Sequence, residues 1–240
     1  MNWVSEKDQV ICQAGAITDS VKSFVAEHNR LLPISLASSS SSSIGGNVAT
    51  NAAGSKFIKY GSTKDHISKI KVMLANGEML TLKKEIKKDA TGPNLMELFC
   101  GSEGALGIIY EVSFNTCEQP KFIENILIRT SELNSIRQHI LAPEVKNIIS
   151  SVEYWDENCQ KLLGDTPEST YFVVVELSSS SKDEIDLCLE TLAEKKYKYL
   201  ETLDTRFGDN DIFGHMNNVI YYALFDSVIN RFLILKCGYN

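Results

Sequence analysis

The chain has 240 residues, 43% of them hydrophobic and 23% charged, which suffices for the core of one large domain or of parts of two. Its 24 Lys and Arg against 31 Asp and Glu give a net charge of −7, and no basic run stands out, so nucleic acid is not an expected partner. No apolar run reaches the ~18 residues of a membrane span, and no basic, apolar leader opens the sequence. We therefore expect a cytoplasmic protein.

Six cysteines are scattered along the chain without a Cys-x-x-Cys pair, and none stands beside a histidine. This pattern favours buried free thiols over disulfides or zinc ligands, and we assign no metal site. The cysteines are Cys12, Cys100, Cys117, Cys159, Cys188 and Cys237.

The chain opens with a predicted strand over residues 9 to 14 and a helix that Thr18 caps, with Val21, Phe24 and Val25 on one apolar face. An unbroken serine run follows at 38 to 43. Such a run is typical of a low-complexity linker, but a chain segment entering a binding site is the alternative. We favour the binding site, because a linker would not end in the glycine motif that comes next.

This glycine motif spans residues 43 to 54 and reads Ser-Ile-Gly-Gly-Asn-Val-Ala-Thr-Asn-Ala-Ala-Gly. Gly45 and Gly46 lack a Cβ, so their backbone can take a positive φ or let an anionic pyrophosphate approach its amides. Lys-Tyr-Gly-Ser-Thr follows at 59 to 63. On its own, a Gly-Gly pair after serines also predicts a flexible turn.

A second glycine motif follows a predicted hairpin. Apolar residues recur over 67 to 82 on both sides of an Asn-Gly pair, which is a strong hairpin signal. A polar loop at 89 to 94 and a short helix at 95 to 99 then lead to Gly-Ser-Glu-Gly-Ala-Leu-Gly-Ile-Ile at 101 to 109. A strand over 107 to 114 completes this part of the chain.

Together the two motifs resemble the FAD-binding domain of the vanillyl-alcohol-oxidase (PCMH) type, in the branch of glycolate oxidase, D-lactate dehydrogenase and D-2-hydroxyglutarate dehydrogenase. The resemblance implies an α+β fold and FAD as cofactor. It places the first motif along the pyrophosphate and ribityl chain, and the second near the adenosine and the ring. The family usually has an aromatic residue where Pro93 stands here. The cofactor-binding residues that it implies are Ser43, Ile44, Gly45, Gly46, Asn47, Thr50, Asn51, Gly54, Glu103, Gly104, Gly107, Ile108 and Ile109.

The middle of the chain is predicted to run strand, helix, strand, then strand, helix. The strands are placed at 124 to 129, 148 to 154 and 171 to 177, with helices beginning near Ser131 and Ser181. Ser181 and Glu184 predict a capping box, and Ile185, Cys188, Leu189 and Leu192 an apolar helix face. This order resembles the start of the substrate-covering cap domain of the same oxidoreductases.

The end of the chain resembles a different family. Residues 203 to 218, which include Gly-His-Met-Asn-Asn, are similar to the opening of a hotdog-fold acyl-CoA thioesterase of the 4-hydroxybenzoyl-CoA type. Asp211 matches that family's catalytic acid, in a loop before a helix that starts near Asn217, and His215 and Asn218 would orient the thioester or the helix start. As an alternative, an Asp-Asn-Asp loop before a helix is common turn chemistry. A strand at 197 to 207 would pack on this helix or instead complete the cap-like sheet.

We therefore predict three parts: residues 1–118 as the second lobe of a PCMH-type FAD-binding domain, 119–200 as a partial cap domain, and 201–240 as a hotdog-like strand, loop and helix. The function implied is an FAD-dependent oxidoreductase of D-2-hydroxy acids, or a remnant of one. The alternatives are an acyl-CoA thioesterase and a non-catalytic truncated fusion. Because the resembled oxidoreductases have a further flavin-binding lobe, we expect weak FAD binding. Because a hotdog helix is held by a sheet and at most one strand is predicted here, we expect no appreciable thioester hydrolysis. The expected partners are a small 2-hydroxy acid or an acyl-CoA, with self-association through the C-terminal helix.

Overall fold

The structure, a computed structural model, describes residues 1–84, 92–163, 171–193 and 199–202. The chain divides into two compact units between Gln119 and Pro120. The first unit ends one residue after position 118, where the sequence places the end of the first domain. The family assigned to each predicted domain stays a prediction. Within the described ranges, no helix is long and apolar enough to cross a membrane.

The first unit is built on antiparallel strands, because apolar residues alternate along most of them and fill one face. The strands are β1 (Asn2–Val4), β2 (Gln9–Gln13), β3 (Arg30–Leu31), β4 (Ile67–Met73), β5 (Met79–Lys83), β6 (Ile108–Asn115) and β7 (Cys117–Glu118). Five of them form a sheet in the order β1-β2-β6-β4-β5, and β3 pairs with β7. On the inner face, Val10 of β2 lies opposite Phe114 of β6, and Ile70 of β4 lies opposite Val112. All four side chains are buried.

Short helices lie between these strands. They are α1 (Thr18–Ala26), α2 (Ile44–Ala49), α3 (Phe57–Tyr60) and α4 (Leu95–Phe99), with 3-10 turns at Ser5–Lys7 and Thr63–His66. Helices α1, α2 and α4 bury side chains in the core, whereas α3 buries none. Val21 and Val25 of α1 are fully buried, as the helical spacing predicts. Ile44 and Val48 of α2 are fully buried in the same core.

The predicted hairpin is confirmed. The Leu74 amide donates to the Glu78 carbonyl (2.9 Å) and the Gly77 amide donates to the Leu74 carbonyl (2.9 Å). Gly77 has a φ of +84°, a conformation that favours glycine. The predicted helix at 95 to 99 is also confirmed as α4, whereas the loop before it lies partly outside the described residues.

The prediction that Thr18 caps α1 is wrong. Ile17 holds the N-cap position without a side-chain cap, and Thr18 is the first helical residue. The Thr18 hydroxyl donates to the Ser42 carbonyl oxygen, 3.0 Å away. The Thr18 hydroxyl therefore bonds to a residue distant in sequence, and not to the free amides at the start of α1 as a capping residue would.

The second unit contains a four-stranded antiparallel sheet with helices between its strands. Its elements are β8 (Phe122–Thr130), α5 (Leu133–Ile140), α6 (Pro143–Lys146), β9 (Ile149–Trp155), α7 (Glu157–Leu163), β10 (Tyr171–Ser179), α8 (Lys182–Ala193) and β11 (Tyr199–Thr202). The strand order is β11-β8-β10-β9. The predicted strands and the two predicted helices are present, and β11 completes this sheet by pairing with β8. Of the two alternatives for that strand, the cap-like sheet is the one observed.

Helix α8 buries the predicted apolar face, with Ile185, Cys188 and Leu192 each 1% exposed. Its first turn differs from the predicted capping box. The Ser179 hydroxyl donates to the Glu184 carboxylate, and the Ser181 amide donates to Ser179 Oγ (3.0 Å). Glu184 is therefore paired with a serine two positions earlier than predicted.

The hotdog-like strand, loop and helix, with Asp211, His215 and Asn218, lie outside the described residues apart from the start of the strand. Their structure and roles stay predictions.

The cysteine prediction is confirmed in part. The five cysteines within the described ranges are free thiols, but only Cys12 and Cys188 are buried, and the other three are half-buried. Burial raises the pKa of Cys12 to about 12 and that of Cys188 to about 11. Both thiols are therefore neutral and poor nucleophiles near neutral pH.

Candidate functional site

The first glycine motif begins as a helix anchored to the end of β2. The Ser43 side chain accepts from the Gly46 amide (3.3 Å) and caps α2. The amides of Ile44 and Gly45 donate to the carbonyls of Ala16 (2.9 Å) and Ala14 (2.7 Å). The start of α2 is therefore fixed by main-chain hydrogen bonds, and these two amides are already satisfied.

The two adjacent glycines have different roles. A Cβ on Gly45 would lie 2.6 Å from the Cβ of Ala14, so only glycine lets α2 approach the chain after β2. Gly46 is exposed, and its nearest neighbour would be Ser43 Oγ at 3.1 Å. Neither glycine takes a positive φ, because both lie in the helical turn. The expected close approach is therefore observed at Gly45, but towards the protein, and Gly46 faces outwards.

Gly54 closes the motif against the backbone. A Cβ there would lie 1.3 Å from the Ser35 carbonyl oxygen. Such an approach is impossible for any residue with a side chain, so this glycine fixes the end of the loop.

The second glycine motif lies directly on the C-terminal end of α2. The Gly101 amide donates to the Val48 carbonyl (3.0 Å), and the Glu103 amide donates to the Ala49 carbonyl (2.9 Å). Gly101, Glu103 and Gly104 have φ values of +84°, +50° and +83°, which turn the loop tightly. The two motifs, about fifty residues apart in sequence, form one continuous surface.

The polar side chains of the first motif bond within the chain. Asn47 is 4% exposed and its Nδ2 donates to Thr18 Oγ1 at 2.7 Å. The Thr50 hydroxyl donates to the Gly46 carbonyl (2.9 Å), and Asn51 Oδ1 accepts from the Lys64 amide (3.1 Å). These groups hold the shape of the loop. Thr50 lies on the exposed side of α2, whereas Asn47 does not.

The other predicted site residues divide in the same way. A Cβ on Gly107 would lie 2.7 Å from a methyl group of Val72, and Ile109 is buried, so both pack against the sheet. Ile108 is 62% exposed at the rim, and Glu103 and Gly104 are also exposed.

Sequence reasoning missed the segment that holds the far end of the first motif. The amide and the hydroxyl of Thr63 both donate to the Ala52 carbonyl, at 3.0 and 2.7 Å. Asp65 accepts from the amide (2.7 Å) and the hydroxyl (2.8 Å) of Ser62. Burial acts to raise the pKa of Asp65, but these hydrogen bonds, together with the charges of His66 and Lys64, outweigh it and lower the pKa below its ordinary value. The sequence signal for this segment is Lys-Tyr-Gly-Ser-Thr at 59 to 63.

His66 braces this segment. Its Nε2 lies 2.6 Å from the Tyr60 carbonyl oxygen, so Nε2 carries the proton in the neutral ring. Burial lowers the pKa of His66 below its ordinary value of 6.5, against the opposing effects of Tyr60 and Asp65. The folded state therefore favours the neutral imidazole.

This gives a prediction for the pH dependence of stability. The contribution of neutral His66 is fully present above pH 6.5 and is lost as the pH falls through the lower pKa of the folded state. We expect the free energy of unfolding, measured with urea, to fall between about pH 7 and 5 by more in the wild type than in His66→Gln. Glutamine can donate to Tyr60 but does not titrate, so it is the matched control. Parallel pH profiles for the two proteins would contradict this role.

Two glycines of the joined motifs leave the backbone exposed at the surface. Gly46 and Gly104 present backbone without a side chain, and nothing lies within 4 Å of a Cβ built on Gly104. A separate hollow of about 420 Å³ is lined by residues that include Gln9, Lys84 and Asn115. Among the described residues, no three His, Cys, Asp or Glu side chains form a group that could hold a metal ion.

Comparisons with known proteins identify a cofactor for this type of domain. Residues 1–83 match the family model of an FAD binding domain. The chain is 34% identical over 181 residues to the mitochondrial D-2-hydroxyglutarate dehydrogenase of Rattus norvegicus, covering 72% of this chain and 34% of that protein. It is 30% identical over 203 residues to the D-2-hydroxyglutarate dehydrogenase of Stutzerimonas stutzeri (strain A1501), covering 80% of this chain and 44% of that protein. The chain thus spans between about a third and a half of the length of these relatives.

A solved structure supports the fold. Alkyldihydroxyacetonephosphate synthase matches with a TM-score of 0.72 at 16% identity, over 98% of this chain and 45% of that one. The predicted mixed α and β fold and the resemblance to an FAD-linked oxidase are thereby confirmed, as is FAD as the cofactor of this domain type. The thioesterase resemblance of residues 201 to 240 stays a prediction.

Proposed function

We propose that the chain is an FAD-dependent oxidoreductase, or a remnant of one, that acts on a D-2-hydroxy acid. The observation that carries the proposal is the junction of the two glycine motifs. Two main-chain hydrogen bonds, from Gly101 to Val48 and from Glu103 to Ala49, fuse them into one surface. The family match over residues 1–83, which include the first motif, supports FAD as the ligand of this surface, and the names of the relatives suggest the substrate class.

Exposure divides the predicted site residues into two roles. We propose that the exposed residues contact the dinucleotide, namely Gly46, Thr50, Glu103, Gly104 and Ile108. The others, which are buried or half-buried, shape the loops beneath it, namely Ser43, Ile44, Gly45, Asn47, Asn51, Gly54, Gly107 and Ile109. The backbone at Gly46 and Gly104 lets a ligand come closer than any side chain would allow.

FAD, when bound, supplies a two-electron acceptor for oxidation of the hydroxyl-bearing carbon. The described residues would bind and orient that group along the two loops. The family model matches residues 1–83, which include the first loop, whereas the second loop at 101 to 109 lies beyond the matched residues. We propose residues that bind the dinucleotide only, and none that binds the hydroxy acid.

The test is anaerobic reduction of FAD held by the purified chain. With FAD in excess, D-2-hydroxyglutarate is expected to bleach the visible absorbance of the flavin, and L-2-hydroxyglutarate is the matched control. Because the two acids differ only in configuration, a difference between them reports a shaped site. Equal bleaching by both would contradict the proposal, and bleaching by neither would contradict the activity and leave only the remnant.

Three further features stay predictions from the sequence. They are thioester hydrolysis through Asp211, self-association through the C-terminal helix, and a cytoplasmic location.

A further inference from the structure

Thr18 lies at the centre of a buried hydrogen-bond network beneath the first glycine motif. It is 0% exposed. Its Oγ1 donates to the Ser42 carbonyl (3.0 Å), lies 2.8 Å from Ser42 Oγ, and accepts from Asn47 Nδ2 (2.7 Å). A hydroxyl has one donor and two acceptor positions. Since Thr18 donates to the carbonyl, the Ser42 hydroxyl donates to Thr18, and all three positions are filled.

This network joins three elements of the site. Thr18 opens α1, Ser42 belongs to the serine run before α2, and Asn47 belongs to α2 itself. The backbone reinforces the first connection, because the Thr18 amide also donates to the Ser42 carbonyl (3.0 Å). The side chain of Thr18 is therefore the point at which α1 holds both the serine run and the exposed turn of α2.

The serine run depends on such contacts for its position. Apart from the network at Thr18, the Asp19 amide donates to the Ser39 carbonyl (3.1 Å), and Lys22 Nζ donates to Ser39 Oγ (3.0 Å). A run of serines brings no apolar side chain with which to anchor itself in the core. The first turn of α1 consequently sets where Ser42 and Ser43 lie.

We propose that Thr18 is a positioning residue for the cofactor loop, an inference that rests on the proposed function of that loop. Thr18 contacts no ligand. Its hydroxyl fixes Asn47, the neighbour of the exposed Gly46, and Ser42, the neighbour of the capping Ser43. Without the hydroxyl, the buried Asn47 amide and the half-buried Ser42 hydroxyl lose their acceptor, and the loop has to move to satisfy the buried amide.

The experiment compares Thr18→Val with Thr18→Ser. Valine keeps the shape and removes the hydroxyl, whereas serine keeps the hydroxyl and removes a methyl group. The first measurement is amide hydrogen exchange without flavin. We expect faster exchange over residues 42 to 47 in Thr18→Val, with β4 and β6 unchanged, and exchange close to wild type in Thr18→Ser. Val25→Ala, a core change in the same helix, controls for general destabilisation, because it should speed exchange throughout the unit.

The second measurement is the affinity for FAD, which we expect to fall about tenfold in Thr18→Val and to be restored in Thr18→Ser. Unchanged loop exchange in Thr18→Val, or exchange equally fast in both variants, would overturn the positioning role. If the wild type binds no FAD while Thr18→Val still loosens residues 42 to 47 alone, the positioning of the loop stands and the proposed function fails.

Discussion

Gly54→Ala is expected to lower the free energy of unfolding by about 3 kcal/mol or more. This is a larger loss than we expect for Gly45→Ala, Gly46→Ala or Gly15→Ala. The added Cβ would lie 1.3 Å from the carbonyl oxygen and 2.4 Å from the carbonyl carbon of Ser35. Both atoms belong to the backbone, so relief requires the two chain segments to separate. That separation would pull the end of the first glycine motif away from the core.

Gly15→Ala is the matched control for this prediction. A Cβ on Gly15 meets nothing within 4 Å, and its φ lies outside the left-handed range. The same substitution there should change stability by no more than about 0.5 kcal/mol, or stabilise slightly by restricting the unfolded chain. Urea denaturation of both variants measures the difference. Similar midpoints for Gly54→Ala and Gly15→Ala would show that the close approach at Ser35 is absent.

The second large effect on stability is expected at Gly45 and not at its neighbour Gly46. Gly45→Ala places a Cβ 2.6 Å from the Cβ and 3.2 Å from the carbonyl oxygen of Ala14, and we expect a loss of about 2 kcal/mol of stability. Gly46→Ala meets only Ser43 Oγ at 3.1 Å, and alanine is favoured over glycine in a helix by about 1 kcal/mol. Gly46→Ala is therefore expected to keep the stability of the wild type.

FAD affinity should depend on Gly46 even though stability does not. A methyl group on the exposed side of α2 stands where we propose that the dinucleotide approaches, and a larger side chain in Gly46→Val should weaken binding further. Urea denaturation combined with FAD titration of the three variants measures both properties. Undiminished FAD affinity in Gly46→Val, with the fold intact, would contradict the assigned direction of approach.

Local signals in the sequence predicted the local structure well. The Asn-Gly pair at 76 and 77 specifies its hairpin because Gly77 needs a positive φ, a requirement that acts within four residues. The apolar spacing of Ile185, Cys188 and Leu192 likewise defines the buried face of α8 by helical periodicity alone. That the two glycine motifs meet was expected from the family resemblance, and no local pattern encodes it.

The roles of Thr18, Gly45 and Asn47 could not be predicted from local sequence because they depend on contacts with distant residues. A threonine before a helix predicts a cap, but at Thr18 the partner is Ser42, 24 positions away, and sequence spacing does not reveal that contact. In the same way, two adjacent glycines look alike in sequence, and only the position of Ala14 distinguishes the packed Gly45 from the exposed Gly46. The polarity of Asn47 predicts a ligand contact, yet Asn47 is buried and its side chain donates to Thr18 of α1.

We propose that the joined glycine motifs form a flavin dinucleotide surface. A titration of the isotopically labelled chain with FAD, followed by backbone amide chemical shifts, tests this directly. We expect weak, saturable binding, with the largest shifts at residues 43 to 54 and 101 to 109. Shifts centred instead on the hollow that includes Gln9, Lys84 and Asn115, or no saturable shifts at either glycine motif, would contradict it.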